Sequence, residues 1–338
     1  MRHFCLLLFL LISPLLSLFA QESFDDLIQQ GIDQHDRGQY QMAIETYSEA
    51  LSINPESALA HYEISLTYLH AKNYKKSIDH SNKVIAINRD YLIEAYLTKG
   101  SCLDYLGKTD ASIKLLKKGI RKFGDDYLLH YNLGLNYYKT KDFKKAEKSL
   151  EKAVKSNPKH PTSHLLMAYT MEMQNKKVQS MLSLYYFLLL ESNTERAAQA
   201  SQMLLKFMNG NAERNDSSQV INISINEFNK KDEFNTANMM ISLLSANRYL
   251  EENENKSEEE LFIENTGIFL NILDEQRTEK SEGIWWEVYV PHLSKIAKSK
   301  HLDTYCYLIN QTHSDYAQSW IKENKLKVYD FDIWLRGD

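Results

Sequence analysis

Three histidines, His61, His130 and His164, are the residues of this chain whose type most readily suggests chemistry, because imidazole is a common metal ligand. Their spacings match none of the short ligand pairs that are typical of zinc sites. They fall instead in one column of a repeating pattern, which holds Leu27 and Tyr96 in two other units. A side chain in this column is expected to pack against the following helix. Packing is therefore the favoured interpretation, and a metal site is the alternative.

The cysteines and the catalytic motifs also point away from a familiar enzyme. Cys102 and Cys306 lie in different regions and suggest neither a disulfide framework nor a metal cluster. The sequence contains no Gly-x-Ser-x-Gly, His-Glu-x-x-His, Gly-rich phosphate loop or Cys-x-x-Cys motif. We therefore predict a non-catalytic protein without cofactor or metal. The alternative is an enzyme with an unfamiliar active site in the C-terminal region, to which the rest of the chain presents substrate.

The N-terminal segment differs in character from the rest of the chain. Arg2 precedes an apolar run over Phe4–Phe19, which Pro14 interrupts and which ends at Ala20-Gln21, before acidic residues begin. This pattern predicts a signal peptide over residues 1–20, cleaved after Ala20, and a periplasmic or secreted mature protein without a stable membrane span. An uncleaved anchor is the alternative, which the shortness of the run disfavours.

A shift of about 34 residues aligns the chain with itself through five units, with one extra residue near Arg89–Tyr91. Small residues recur in two columns, where a larger side chain would force two closely packed helices apart. The first column holds Gly31, Ser65, Gly100, Gly134 and Ala168, and the second holds Ala43, Ser77, Ser112, Ala146 and Ser180. The pattern predicts units of two antiparallel helices.

Two segments carry the pattern most fully: GIDQHDRGQYQMAIETYSEALSINP (Gly31–Pro55) and NLGLNYYKTKDFKKAEKSLEKAVKSNP (Asn132–Pro158). They resemble the tetratricopeptide repeat, and the resemblance covers about half of the chain, roughly residues 24–192. It implies an all-α fold, an α-solenoid in which antiparallel helix pairs form a right-handed superhelix with a concave groove. It also implies a scaffold that binds a protein or peptide segment. We expect a periplasmic or secreted adaptor that helps to assemble or regulate an envelope complex in a Gram-negative bacterium.

The expected order of segments follows from these patterns and from a C-cap signal at Asn209-Gly210. It is a signal peptide over 1–20, five repeat units over 21–192, a capping helix or degenerate sixth unit over 193–210, a linker over 211–218 and a mainly helical C-terminal domain of unrecognised family over 219–338. Within that domain we expect a short strand over 219–225 and helices over 233–250, 258–276, 284–300, 301–311 and 316–324.

The first helix of each unit should carry the residues that face the groove. These residues are apolar or aromatic with scattered acids, and they lack the basic residues and asparagine with which related domains clamp a terminal carboxylate. An apolar or aromatic partner segment, with or without basic residues, therefore fits better. Cover by the C-terminal region is the alternative. The candidate groove residues are Ile28, Ile32, Tyr62, Glu63, Leu66, Glu94, Leu97, Tyr131, Leu135, Tyr138, Leu165 and Tyr169.

Three further features have a structural and a functional interpretation. Lysines of the second helices, such as Lys117 and Lys118, form either a solvated exterior or a contact for anionic glycan, lipid or nucleic acid. We expect no nucleic acid, because the protein is expected to be exported. The acidic segment Glu251–Glu282 is either solvated or docked on these lysines. The aromatic cluster around Trp285 and Trp286 belongs either to the core or to a platform for sugar or peptide.

Overall fold

The computed structural model describes residues 23–210, 212–215, 220–224 and 233–337. The expected signal peptide lies outside these residues. The fold of the described part is all-α apart from one two-stranded hairpin, and its helices follow one another in packed pairs, which confirms the predicted fold class. None of the described helices combines the length and the apolarity needed to cross a membrane. The described residues divide into two compact units, with the boundary between Thr98 and Lys99.

The first unit contains two helix pairs and the beginning of a third. Ser23 starts the array with a capping box, in which its hydroxyl accepts from the Asp26 amide and Asp26 accepts from the Ser23 amide. Ser57 caps the third helix with a single bond, in which its hydroxyl accepts from the Ala60 amide. The helices are α1 (Phe24–Asp36), α2 (Tyr40–Ile53), α3 (Ala58–His70), α4 (Tyr74–Ile87) and the start of α5 (Leu92–Tyr105).

The second unit contains the remaining repeats, the capping helix and the whole C-terminal region. The repeat helices are α6 (Thr109–Phe123), α7 (Tyr127–Lys139), α8 (Phe143–Ser156), α9 (Pro161–Glu172) and α10 (Lys177–Leu190), and α11 (Glu195–Asn209) follows them. The C-terminal elements are β1 (Ala212–Asn215), β2 (Val220–Ile223), α12 (Asn235–Leu244), α13 (Glu258–Gln276), a π-helical turn (Trp285–Tyr289), α14 (Val290–Ala297), α15 (Leu302–Asn310), α16 (Asp315–Glu323) and α17 (Lys325–Arg336).

The small-residue columns lie where the two helices of a pair approach most closely. A Cβ atom on Gly31 would stand 2.3 Å from the Tyr47 ring, so only glycine fits there. In three pairs the second-column residue is a serine that also bonds to the first-column carbonyl. These bonds run from Ser77 to Ser65 at 2.7 Å, from Ser112 to Gly100 at 2.8 Å and from Ser180 to Ala168 at 2.9 Å. The columns therefore supply close packing and, in these pairs, a buried hydrogen bond.

The C-terminal region differs from the expectation in three places. Half of the expected linker is strand β1, which pairs antiparallel with β2 so that Ala212 lies opposite Ile223. The helix expected over 233–250 ends at Leu244 and is followed by two short 3₁₀ turns, which the side chain of Asn253 bridges by donating to the carbonyl of Asn247 at 2.8 Å. Helix α17 was not predicted at all.

Helix α10 explains why the C-terminal region does not form a separate compact unit. All residues from Val178 to Leu188 are buried, so this second helix of the fifth pair has no solvated face over that length. The Tyr185 hydroxyl bonds to Thr266 of α13 at 2.8 Å, and Tyr305 of α15 donates to the Tyr185 carbonyl at 2.7 Å. The fifth pair and the C-terminal helices therefore share one hydrophobic core.

The late aromatic cluster belongs to this core. Trp285 and Trp286 are only 6% and 3% exposed. The Trp286 ring stacks on Phe234 with centroids 4.9 Å apart, and its indole N–H donates to Glu233 at 2.7 Å. Rings that are covered in this way cannot present a face to a sugar or peptide, so the platform interpretation was wrong and the core interpretation is confirmed.

Candidate partner-binding surface

In the first unit the candidate residues lie on α1, α3 and the beginning of α5, and they differ in how much surface they offer. Ile28 is 5% exposed and packs with Leu27 and Tyr47 in a small core, so a partner could reach little of it. This corrects its assignment as a groove contact, and the cause is the inward packing of α1 on α2. Ile32, Tyr62, Glu63, Leu66 and Leu97 are partly buried, and Glu94 is exposed.

Tyr62 has a partner that the sequence argument did not assign. Its ring stacks on Tyr91, with centroids 5.2 Å apart and planes at 10°. Tyr91 has a φ of 59°, a left-handed conformation that is costly for a residue with a Cβ atom. It lies where the repeat register contains one extra residue, which was the only signal of its role. The two stacked rings together form an aromatic surface at the edge of α3 and α5.

The first-unit surface is acidic. Burial and the nearby carboxylates of Glu63 and Glu94 raise the pKa of Tyr62 to about 12, so the phenol stays neutral. Burial and the charge of Asp36 raise the pKa of the Glu63 carboxyl. Both effects indicate negative potential beside half-buried apolar groups, a setting that favours a partner with basic residues.

In the second unit the candidate residues lie on α7 and α9. Leu165 is 7% exposed and belongs to the shared core, which corrects its assignment in the same way as that of Ile28. Tyr131, Leu135, Tyr138 and Tyr169 are partly buried and pack against that core with one side. These four side chains therefore keep an accessible edge on a supported base, which suits a contact residue better than full exposure does.

Arg196 of α11 extends this second-unit surface and was missed by the sequence argument. Its guanidinium donates to Thr162 at 3.0 Å and forms an ion pair with Glu191. Burial raises the pKa of Tyr131 and of Tyr169, and the charge of Arg196 counteracts this in both. Thr162 and Arg196 are 34 residues apart, so α11 occupies the place of a sixth first helix. This spacing of one repeat could have identified Arg196 from the sequence.

The C-terminal region leaves part of the second-unit surface exposed, because Tyr131, Leu135, Tyr138 and Tyr169 are only partly buried. Its helices pack mainly on α10, and Tyr289 contacts α9 at His164. The acidic segment forms its ion pairs within the C-terminal region, from Arg248 to Glu258, from Lys256 to Glu264 and from Lys298 to Asp274. Among the described residues, these ion pairs do not join the acidic segment to the lysines of the repeats.

The three histidines of the repeat column occupy separate environments. His61 Nδ1 lies 3.1 Å from His80 Nδ1, and His130 Nε2 lies 2.8 Å from Asp125. His164 is fully buried, with Nδ1 2.8 Å from the Tyr289 hydroxyl and Nε2 2.8 Å from the Pro158 carbonyl. The packing interpretation fits these contacts. No group of three or more His, Cys, Asp or Glu side chains among the described residues is arranged to hold a metal.

His164 should make stability depend on pH. Burial lowers its pKa to about 4, and the neighbouring charge of His160 acts in the same direction, while Tyr186 and Tyr289 contribute only neutral rings. Between pH 6.5 and 4 the unfolded chain then binds a proton that the folded chain does not. We expect the free energy of unfolding to fall by about 3 kcal/mol over this window and to be constant for this group above it.

Urea unfolding at a series of pH values would measure this loss. His164→Gln keeps a polar side chain but cannot take up the proton, so its stability should depend on pH by about one proton less than wild type. An identical pH dependence in both proteins would contradict the assignment.

Comparison with known proteins defines the class of the repeat region. Sequence models of the tetratricopeptide repeat match residues 34–72, 93–121 and 127–160. The BBSome complex member BBS4 homolog of Drosophila melanogaster is 29% identical over 120 residues, which cover 36% of this chain and 25% of that protein. Tetratricopeptide repeat protein 28 of Mus musculus is 29% identical over 86 residues, which cover 25% of this chain and 3% of that protein.

Among solved structures, pilF of Pseudomonas aeruginosa is 22% identical and matches with a TM-score of 0.48, covering 54% of this chain and 83% of that chain. The matched region spans about a quarter or less of the length of the two curated relatives. The chain therefore contains tetratricopeptide repeats in its repeat region. The repeats support a role as a protein–protein interaction scaffold and favour a non-enzyme.

Proposed function

We propose that this protein is a non-catalytic scaffold or adaptor of the bacterial envelope, which binds a segment of a partner protein along the first helices of its repeats. One observation carries the proposal. First helices of each unit present aromatic and apolar side chains that remain partly exposed, namely Tyr62 and Leu66 on α3, and Tyr131 and Tyr138 on α7. The three tyrosines also pack against buried apolar residues. Tyrosine in such a position provides a large contact area with little loss of conformational entropy.

The charges suggest the chemistry of the bound segment. In the first unit Glu63 and Glu94 accompany Tyr62, whereas in the second unit the positive charge of Arg196 is already paired with Glu191. Apolar or aromatic anchors would complement either surface, and at least one lysine or arginine would complement the surface of the first unit. Basic residues of the segment should contact the first unit. Among the ion pairs of the described residues, neither Glu63 nor Glu94 is paired with a lysine or an arginine.

Export is the part of the proposal that rests on the sequence alone. The apolar run before Ala20-Gln21 motivates a mature chain that begins at Gln21. We expect N-terminal mapping of the protein from its native host to find Gln21 in the envelope or medium fraction. A matched variant with Leu10 and Leu11 replaced by aspartate should remain uncleaved, because charges interrupt the apolar run. Recovery of wild type with intact Met1 in the cytoplasm would refute the envelope location.

Capture of partners with the cleaved protein, followed by mass spectrometry, then tests the scaffold. The same capture with a variant of the first-helix surface shows which proteins depend on that surface. Partners that are recovered equally by both would contradict the proposed mode of binding.

A further inference from the structure

Two histidines that the sequence argument did not single out meet in the first unit. His35 lies in the last turn of α1, and His70 is the last residue of α3. The Nε2 atom of His35 lies 3.0 Å from the Nδ1 atom of His70, and the ring centroids are 4.8 Å apart. The two residues are 35 positions apart, one repeat, so only the stacking of the pairs brings them together.

The hydrogen-bond network fixes which nitrogen of His35 carries a lone pair. Thr67 Oγ1 donates its only proton to the Glu63 carbonyl at 2.8 Å. It must therefore accept from His35 Nδ1, which lies 2.8 Å away and carries the N–H. The lone pair of neutral His35 is then on Nε2, directed at His70. A histidine whose other nitrogen donates to a fixed polar group is oriented as metal ligands usually are.

The distance between the two nitrogens suits a shared ion after a small movement. Zinc–nitrogen bonds of about 2.0–2.1 Å in a tetrahedron place two nitrogens roughly 3.3–3.4 Å apart. The two nitrogens would have to move apart by a few tenths of an ångström. His70 is exposed at the end of its helix, where a movement of this size disturbs little packing. His70 would also move its proton from Nδ1 to Nε2, a tautomer change that leaves the ring neutral and directs both lone pairs at the ion.

Charged groups of both signs act on the pair, since Asp36 favours a positive charge on His35 while burial and His70 oppose it. Asp36 follows His35 in the chain, and the negative charges of Asp36 and Glu63 act on each other, which contributes to the raised pKa of Glu63. Asp33 and Tyr47 share the same neighbourhood, and the Tyr40 ring packs on His35 with centroids 5.4 Å apart.

The first unit contains a natural comparison in His61 and His80. Their Nδ1 atoms are 3.1 Å apart, nearly the same separation. Here, however, burial lowers the pKa of His80 to about 4, and Lys83 and Lys76 add positive charge. The two pairs thus have similar nitrogen separations and differ in their charged neighbours, which are Asp36 at the first pair and Lys83, Lys76 and Asp79 at the second.

We propose that His35 and His70 form a binding site for one divalent transition-metal ion, such as Zn²⁺, Cu²⁺ or Ni²⁺, with water in the remaining positions. Imidazole suits these ions better than it suits Mg²⁺ or Ca²⁺. No third His, Cys, Asp or Glu of the described residues completes the site, so binding is weaker than at zinc sites with three or four protein ligands. The ion would link the ends of α1 and α3 beside Glu63.

Titration of the full-length chain, free of any histidine tag, with Zn²⁺ and with Cu²⁺ tests the site. We expect one equivalent by calorimetry, and electron paramagnetic resonance of the Cu²⁺ complex should show coupling to two imidazole nitrogens. His70→Gln should bind more than about tenfold more weakly, since loss of an outer-shell partner alone costs 10–100-fold. Its residual Cu²⁺ signal should show one nitrogen. His80→Gln, the matched control, should bind like wild type.

Circular dichroism establishes that each variant is folded. We expect His70→Gln to fold, because the side chain of His70 is exposed. Wild-type affinity in His70→Gln would overturn the proposal, as would a loss of affinity in His80→Gln alone. Absence of saturable binding to the wild-type chain would overturn it too.

Discussion

Replacement of Tyr131 and Tyr169 together by alanine should weaken the binding of a captured partner by roughly 2–4 kcal/mol, the range expected when two anchors of an interface are removed. Both phenols are partly exposed, pack against the shared core with one side and lie within the electrostatic reach of Arg196. A partner segment that lies along α7 and α9 would cover both rings. Their removal takes away contact area at two adjacent points of the second-unit surface.

A charge reversal on the second helices provides the control. Lys117 and Lys118 of α6 are exposed, and Lys117 lies 5.6 Å from the centroid of the Tyr137 ring, which is buried in α7 and is not one of the candidate contact residues. Lys117→Glu with Lys118→Glu should change affinity little at physiological salt. Calorimetric titration of the partner into wild type and both variants gives the comparison. A loss of affinity in the lysine variant with no loss in the tyrosine variant would mean that the partner binds the basic exterior instead.

Phe269→Ala should lower the free energy of unfolding of the second unit by about 3–5 kcal/mol. The ring is fully buried on α13, and its centroid lies 6.2 Å from that of Tyr185 on α10. Truncation would leave a cavity between the C-terminal region and the fifth repeat, where the surrounding helices can relax only in part. The loss should therefore appear in both regions.

Hydrogen exchange resolved by residue would show where the loss falls. We expect the amides of α10 to lose protection together with those of α13, because the two helices share one core. Glu275→Ala, on the exposed face of α13, should leave the exchange of both helices unchanged. Loss of protection in α13 alone would mean that the C-terminal region unfolds independently of the repeats.

The repeat array was predictable because its signal is periodic. Small residues such as Gly31 and Ala146 recur in phase wherever two helices of a pair meet, and the same register locates the first-helix surface. Each column repeats one local contact several times, so individual departures such as Ser65 do not hide the pattern. The prediction of helix pairs needed nothing beyond this repetition.

The rest depended on tertiary contacts that have no period. Burial of Ile28 and Leu165 follows from how neighbouring helices lean on them, which a position in a column does not reveal. Arg196 extends the second-unit surface from a helix that has no matching second helix. Tyr91 stacks on Tyr62 from the point where the repeat contains an extra residue. The shared core could not be predicted for a related reason. The sequence of α10 is that of an apolar helix, and it would look the same whether the helix ended the array or lay inside a larger core.

The burial of α10 on all sides also limits how this repeat array can change its length in evolution. Arrays of this kind commonly gain or lose units by duplication, because each unit contacts only its neighbours. A pair inserted after α10 would separate Tyr185 from Thr266 and Tyr305, and expose apolar surface that no repeat sequence is adapted to cover. Homologues with more or fewer repeats should therefore differ before α9 and keep the fifth pair, α11 and the C-terminal helices as one inherited block.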